Sequence, residues 1–306
     1  MTGCSRSPPP SWHGVAAQAW HRAAPDLAAH PVLGPPTPPL SGTRGPIPSR
    51  RRTRVSAVYY YDFLRQVHAR LSPQAYLEVG IRNGGSLALS RCRSVGIDPA
   101  FNIRAELDGD YAIFRTTSDE YFARPDPLAA TRGTPFDLAF IDGLHLFEFA
   151  FRDFVNAERH SSPHGVIVFD DVLPRTVDEA ARQRHTVSWT GDVYPMLAVL
   201  ARYRPELVVV PVQTQPTGLL VVTGLDPEST VLADAYDEIL ADFRHPDPQP
   251  VPDAVLDRLA VLPPELLLES DLLDVLAAGR GQSSADLRPQ IAESVGRTLG
   301  RGFVPA

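Results

Sequence analysis

Two strand-like runs, Leu207–Gln213 and Leu219–Thr223, are separated by the short turn Thr214–Gly218. A parallel crossover takes about a dozen residues or more, so these runs must form an antiparallel hairpin. Upstream the spacing is different. Apolar runs at Tyr76–Ile81, Ser94–Asp98, Ala112–Arg115, Phe136–Asp142 and Gly165–Asp170 are separated by longer connections. Helices are predicted over Val55–Leu71, Asn83–Cys92, Leu146–Arg159 and Asp192–Tyr203 from apolar residues at helical spacing. Apolar strands alternating with helices call for a parallel sheet covered on both faces. The expected fold is therefore α/β: a doubly wound seven-stranded sheet, five parallel strands closed by the antiparallel hairpin.

Composition changes along the chain. Residues 1–53 hold eleven prolines between Pro8 and Pro48, few large aliphatics, and six arginines against Asp26. With so little to bury, this arm is expected to be disordered and solvated. Residues 54–228 carry the alternating pattern. Residues 229–245 read as an appended amphipathic helix, with Leu232, Tyr236, Ile239 and Phe243 on one stripe. Residues 246–252 are a Pro-rich linker. Residues 253–306 should hold short helices and a tail; their leucines suit a helical lid or a homodimer surface.

Several classes are excluded. No apolar run approaches the ~18 residues of a membrane span. The net charge of −7 argues against a nucleic-acid partner. Two cysteines, Cys4 and Cys92, cannot staple a secreted scaffold. All 29 basic residues are arginine, which removes any lysine base or Schiff-base former. A cytoplasmic protein is the expectation.

The chemistry concentrates at strand ends. Glu78-Val-Gly80-Ile-Arg-Asn-Gly84-Gly85-Ser86 places glycines at a strand-to-helix turn, where a ligand can approach the backbone. It is not the dinucleotide pattern, because Arg82 stands where a second glycine belongs. Asp98 ends the second strand, where a carboxylate can accept both hydroxyls of a ribose diol. Asp142 ends strand four, and Asp170 and Asp171 end strand five. Neighbouring strands lie about 4.8 Å apart, so these carboxylates share one rim. Three such groups suit a hard divalent cation, Mg²⁺ first. His145, three residues after Asp142, has the right ordinary pKa for a proton acceptor. His185–Asp192, with Trp189, should roof the site. Tyr59, Tyr60 and Tyr61 either cover the ligand or form a packed helix face.

The Glu78–Ser86 pattern, the acid closing strand two and the terminal hairpin resemble the class I S-adenosylmethionine-dependent methyltransferases. The closest likeness is to the catechol-type, metal-dependent O-methyltransferases. The stretches Phe136–His145 and Gly165–Asp171 resemble a bacterial branch of that superfamily. The resemblance covers roughly residues 56–225. It implies that Gly80, Gly84 and Ser86 line the methionine end of S-adenosylmethionine, with Glu78 beneath them. Asp98 would hold the ribose, Ser118 and Asp119 would flank the adenine, and Asp142 would border cofactor and metal alike. A lysine base of that family is replaced here by His145. The implied reaction is methyl transfer to a hydroxyl of a small molecule, assisted by metal at Asp142, Asp170 and Asp171. The alternatives are a non-catalytic methyltransferase-like binding module and, against the glycine pattern, a nicotinamide-dependent oxidoreductase.

Overall fold

The computed structural model describes residues 58–305, so the predicted disordered arm lies outside the described residues. Helix α1 (Tyr60–Leu71) leads into β1 (Ala75–Val79), β2 (Arg93–Ile97), β3 (Asp110–Phe114), α2 (Ser118–Phe122) and β4 (Phe136–Ile141). Then come α3 (Phe147–Arg159), β5 (Ser161–Phe169), α4 (Met196–Tyr203), β6 (Val208–Val212) and β7 (Leu219–Thr223). The seven strands lie in the order β3-β2-β1-β4-β5-β7-β6. β1 to β5 pair in parallel, and β7 enters antiparallel between β5 and β6. The expected sheet and hairpin are both present. Pro211, which cannot donate to a ladder, sits on the edge strand β6, where the loss is cheapest.

Side chains alternate between the two faces with period two. Leu77, Val79, Ala139, Ile141, Ile167 and Phe169 point to one face, packed against Phe147, Phe151 and Phe154 of α3 and Leu200 of α4. Tyr76, Leu138, Phe140, Val166 and Val168 point to the other, packed against Phe63, Leu64 and Val67 of α1. That second face is completed by the end of the chain. Helices α5 (Val231–Asp234), α6 (Tyr236–Phe243), α7 (Asp253–Leu256), α8 (Pro264–Glu269), α9 (Leu272–Ala278) and α10 (Ser284–Thr298) follow the sheet. Leu267, Leu272, Leu273, Leu276, Leu287, Ile291 and Val295 are buried on the α1 face of the sheet. Most leucines of the stretch considered as a lid or dimer surface thus pack as a helical cover on the sheet, while Leu259 and Leu266 stay exposed.

Two helices differ from expectation. Asn83–Cys92 is no helix; it contains one 3-10 turn, Leu87–Leu89. Gly84 and Gly85 weaken helix formation there, and the Ser86 side chain is drawn inward to Glu78. The single helix expected over Ser229–Phe243 breaks at Ala235 into α5 and α6. Among the described residues, no helix is long and apolar enough to cross a membrane.

Candidate active site

The glycine turn starts where β1 stops. Gly80 has φ +87°, and a Cβ there would stand 1.9 Å from the Asp142 carbonyl oxygen. Only glycine lets the ends of β1 and β4 approach this closely. Gly191, at φ +58°, does the same from the roof loop: its Cβ would lie 1.8 Å from the His145 carbonyl oxygen. The segment Asp142–His145 is therefore gripped between two glycines.

That grip sets a compact polar cluster. His145 Nε2 lies 3.0 Å from Asp142 Oδ1, and its Nδ1 lies 2.9 Å from Asp171 Oδ2. One ligand atom from each of the three residues falls within 4.8 Å of the others. His145 and Asp171 both hold left-handed φ, 57° and 59°. Such strain at non-glycine residues persists only where the surroundings over-determine it. Trp189 lies flat on the imidazole, 5.1 Å between ring centres and 13° from parallel. The roof loop is tied down by Arg182, which pairs with Glu148 and Asp192. Asp192 in turn accepts the Phe147 N–H at 3.0 Å. It caps α3 from a distance, because Leu146 at the N-cap has no side-chain acceptor.

The converging set differs from the expected one. Asp142, Asp170 and Asp171 were the candidate ligands, but His145 takes the place of Asp170. Asp170 turns back to accept the Asp171 N–H at 2.8 Å, leaving its side chain on the wall of the neighbouring cavity. Burial, then the charges of Asp171 and Asp142, push the Asp170 carboxyl well above its ordinary range. Burial also raises Asp142, against the His145 hydrogen bond that lowers it. For His145 burial alone would lower the pKa. The Asp171 charge and the hydrogen bonds to Asp142 and Asp171 prevail and hold it well above 6.5. Against the expectation of a half-deprotonated imidazole at neutral pH, these two carboxylates favour the protonated ring in the metal-free chain.

The glycine-turn residues divide by role. Glu78 is fully buried and accepts from Tyr76 OH and Ser86 Oγ, both at 2.6 Å. Burial pushes its carboxyl up to about 8. Glu78 and Ser86, expected beside the cofactor, are engaged with each other and brace the turn from below. Gly80 lines a cleft together with Asp98, Ser118 and Asp119. Gly84, φ +80°, packs instead under Ile103. Asp98 accepts the Arg82 N–H at 2.8 Å and the Ala100 N–H at 2.6 Å, which fixes the carboxylate at the cleft wall. Asp119 is held by Arg152 through two bonds of 2.9 and 2.8 Å. A second, smaller hollow is lined by Asp142, His145, Asp170 and Val193. Gly143, Leu144 and Asp153 border both. Tyr59, Tyr60 and Tyr61 cluster in tilted and edge-on contacts, with ring centres 4.3 to 5.6 Å apart. Burial, then the charges of Asp170 and Asp142, raise the Tyr60 phenol, so this aromatic cluster faces the acidic rim.

Sequence reasoning did not find Asp153, Gly191 or the capping role of Asp192. Asp153 lies in the middle of a helix, away from the strand ends where the other acids were found. Gly191 had only its neighbour Asp192 as a signal.

Residues 54–172 match a family model described as a methyltransferase domain. Over that span the chain is similar to a methyltransferase domain. No curated protein matches the chain. Solved structures similar to it include an O-methyltransferase from Bacillus cereus in complex with SAH, 17% identical, covering 54% of this chain and 80% of that one at TM-score 0.39. The O-methyltransferase TomG from Streptomyces achromogenes, in complex with SAM, is 16% identical over 56% of this chain and 82% of its own, TM-score 0.39. The N-methyltransferase NodS from Bradyrhizobium japonicum is 16% identical over 52% and 89%, TM-score 0.34.

Proposed function

We propose that this domain moves a methyl group from the sulfonium of S-adenosylmethionine to a hydroxyl oxygen of a small-molecule acceptor. The observation that carries the reading is the wall shared by the two cavities, Gly143, Leu144 and Asp153. The donor occupies the larger cleft, with its ribose at Asp98 and its methionine end over Gly80. The acceptor occupies the smaller one, beside His145 and Asp170. In-line transfer needs donor carbon and acceptor oxygen about 3 Å apart and aligned, which adjoining pockets favour. The acidic rim and its three tyrosines suit a cationic donor.

The cluster of Asp142, His145 and Asp171 fits a divalent cation. Its donor atoms converge, and burial opposes the ionisation of neighbouring Asp170, a tension that a cation relieves. Asp142, His145 and Asp171 would hold the ion. A mixed oxygen and imidazole set suits Mn²⁺ as well as Mg²⁺. When bound, such an ion polarises a hydroxyl and lowers its pKa. A second reading rests on the bracketing of His145: the ring orients the Asp142 and Asp171 carboxylates, and one of these accepts the hydroxyl proton in a metal-free reaction.

Transfer of labelled methyl to a panel of catechols, phenols and sugar hydroxyls, with and without EDTA, tests both. Loss in EDTA with recovery on Mg²⁺ or Mn²⁺ supports the metal reading. Full EDTA resistance, with activity lost in His145→Ala, selects the second. A chain that binds the donor yet methylates no hydroxyl refutes O-methylation and leaves a binding module.

A further inference from the structure

We propose that Tyr236, on helix α6 beyond the last strand, is a positioning residue for the donor cleft, acting through Arg152 on Asp119 and Phe149; this rests on the S-adenosylmethionine reading above. Asp119 and Phe149 line the cleft from two different elements, α2 and α3. Asp119 follows β3, the edge strand of the sheet, on a helix of five residues, so its own element holds it weakly. One side chain ties both down. Arg152 donates to the two Asp119 oxygens from Nε and Nη2, at 2.9 and 2.8 Å, and its guanidinium lies over the Phe149 ring, 4.5 Å from the centre. Its third nitrogen, Nη1, donates to the Tyr236 hydroxyl at 3.0 Å.

Arg152 and Tyr236 are both buried. Burial opposes the Arg152 charge, and the hydrogen bonds and charge of Asp119 outweigh it. A guanidinium is planar, so the fork to Asp119 fixes one edge and the bond to Tyr236 fixes another. Without the hydroxyl, the plane can tilt about the Asp119 fork, and the Phe149 ring beneath it loses its cover. Tyr236 is set in turn by its ring, which stacks on Phe151 with centres 5.5 Å apart and 7° from parallel. Phe151 belongs to α3, the helix that also carries Phe149 and Arg152. The match to a methyltransferase domain stops at residue 172, and the last strand ends at Thr223. Tyr236 lies past both, so the C-terminal extension of this chain completes the wall of its donor cleft. Arg244, one residue past α6, meets α3 separately, through Glu148 at 3.1 Å.

Calorimetric titration of the full chain with S-adenosylhomocysteine tests this. Tyr236→Phe keeps the ring and its stack and removes the hydroxyl alone. It should bind about fivefold or more weakly than the wild type, a fraction of the more than tenfold that one hydrogen bond to a charged group can contribute. Asp119→Asn should weaken binding as well, and Tyr236→Phe added to it should weaken binding no further, because the two act through one guanidinium. A merely structural loss would add. Arg244→Gln, which frees the other end of the same helix, should bind as the wild type does. Arg152→Lys keeps the charge and forfeits the fork, and should lose at least as much as Tyr236→Phe. Wild-type affinity in Tyr236→Phe or in Arg152→Lys, additive losses in the double variant, or an equal loss in Arg244→Gln overturns the role of Tyr236 while leaving the donor reading intact. Failure of the folded wild type to bind overturns the donor reading and this assignment with it.

Discussion

Gly80→Ala isolates the contact on which the site's geometry depends, and Gly133→Ala is its control. Both glycines have left-handed φ, +87° and +79°. Both substitutions therefore incur the same backbone strain, about 1–2 kcal/mol. They differ in what the new methyl meets. At Gly133 nothing lies within 4 Å; at Gly80 the Asp142 carbonyl oxygen lies 1.9 Å away and its carbon 2.5 Å away. Relief at Gly80 requires the Asp142 peptide to move by more than an ångström. That motion endangers the 2.8 Å bond from Asp142 N to Val79 O, worth about 1 kcal/mol. It also pulls the Asp142 carboxylate from its 3.0 Å contact with His145. Gly133→Ala should lower stability by about 1 kcal/mol in urea denaturation and leave donor binding unchanged. Gly80→Ala should cost about 3 kcal/mol or more and weaken binding of S-adenosylhomocysteine at least tenfold. If the two variants match within about 0.5 kcal/mol and both bind normally, the close approach of β1 and β4 is wrong.

Glu78→Gln gives a pH signature. A carboxyl raised from 4.5 to about 8 in the folded chain contributes stability that is complete below about pH 4.5 and lost as pH rises through about 8. The wild type should lose several kcal/mol relative to Glu78→Gln between pH 4 and 9, at about 1.4 kcal/mol per pH unit, and a flat difference in thermal unfolding would contradict the burial of that acid. Arg204 pairs with Glu158 inside the fold, the two side chains 1% and 5% exposed, so Arg204→Met should destabilise by about 3–5 kcal/mol in denaturant titration; a change below 1 kcal/mol would refute the pairing. Gly191→Ala should reduce methyl transfer at least tenfold while S-adenosylhomocysteine binding stays near normal, because its Cβ would displace His145 and not the donor cleft. Equal losses in both would show that the roof serves the donor as well.

The sheet was legible because its signals are local. The short turn between β6 and β7 forces the hairpin, and β-strands buried on both faces leave unbroken apolar runs such as Val166–Phe169. Asp98 was legible from its place at a strand end. What escaped depends on contacts between distant segments. Asn83–Cys92 reads as a helix opened by glycines, yet the Glu78–Ser86 bond holds the turn in another shape. Helix α10 carries Pro289 and Gly296, both unfavourable inside a helix, but its Leu287, Ile291 and Val295 bury against the sheet and outweigh them. Pro289 sits on the exposed side, where water can satisfy the carbonyl it leaves unpaired. His145 was found by its spacing from Asp142, but its protonation is set by Asp171, 26 positions further along the chain. Asp153 carries no local signal: its burial comes from elements distant in sequence that cover α3.

The central claim is that the Asp98 cleft holds the methyl donor. Titration of S-adenosylhomocysteine into the purified chain tests it most directly. The account predicts saturable binding of one molecule per chain, weakened at least tenfold in Asp98→Ala, whose loss removes the ribose acceptor. A folded wild-type chain that gives no heat, or an Asp98→Ala variant that binds as tightly as the wild type, would contradict it.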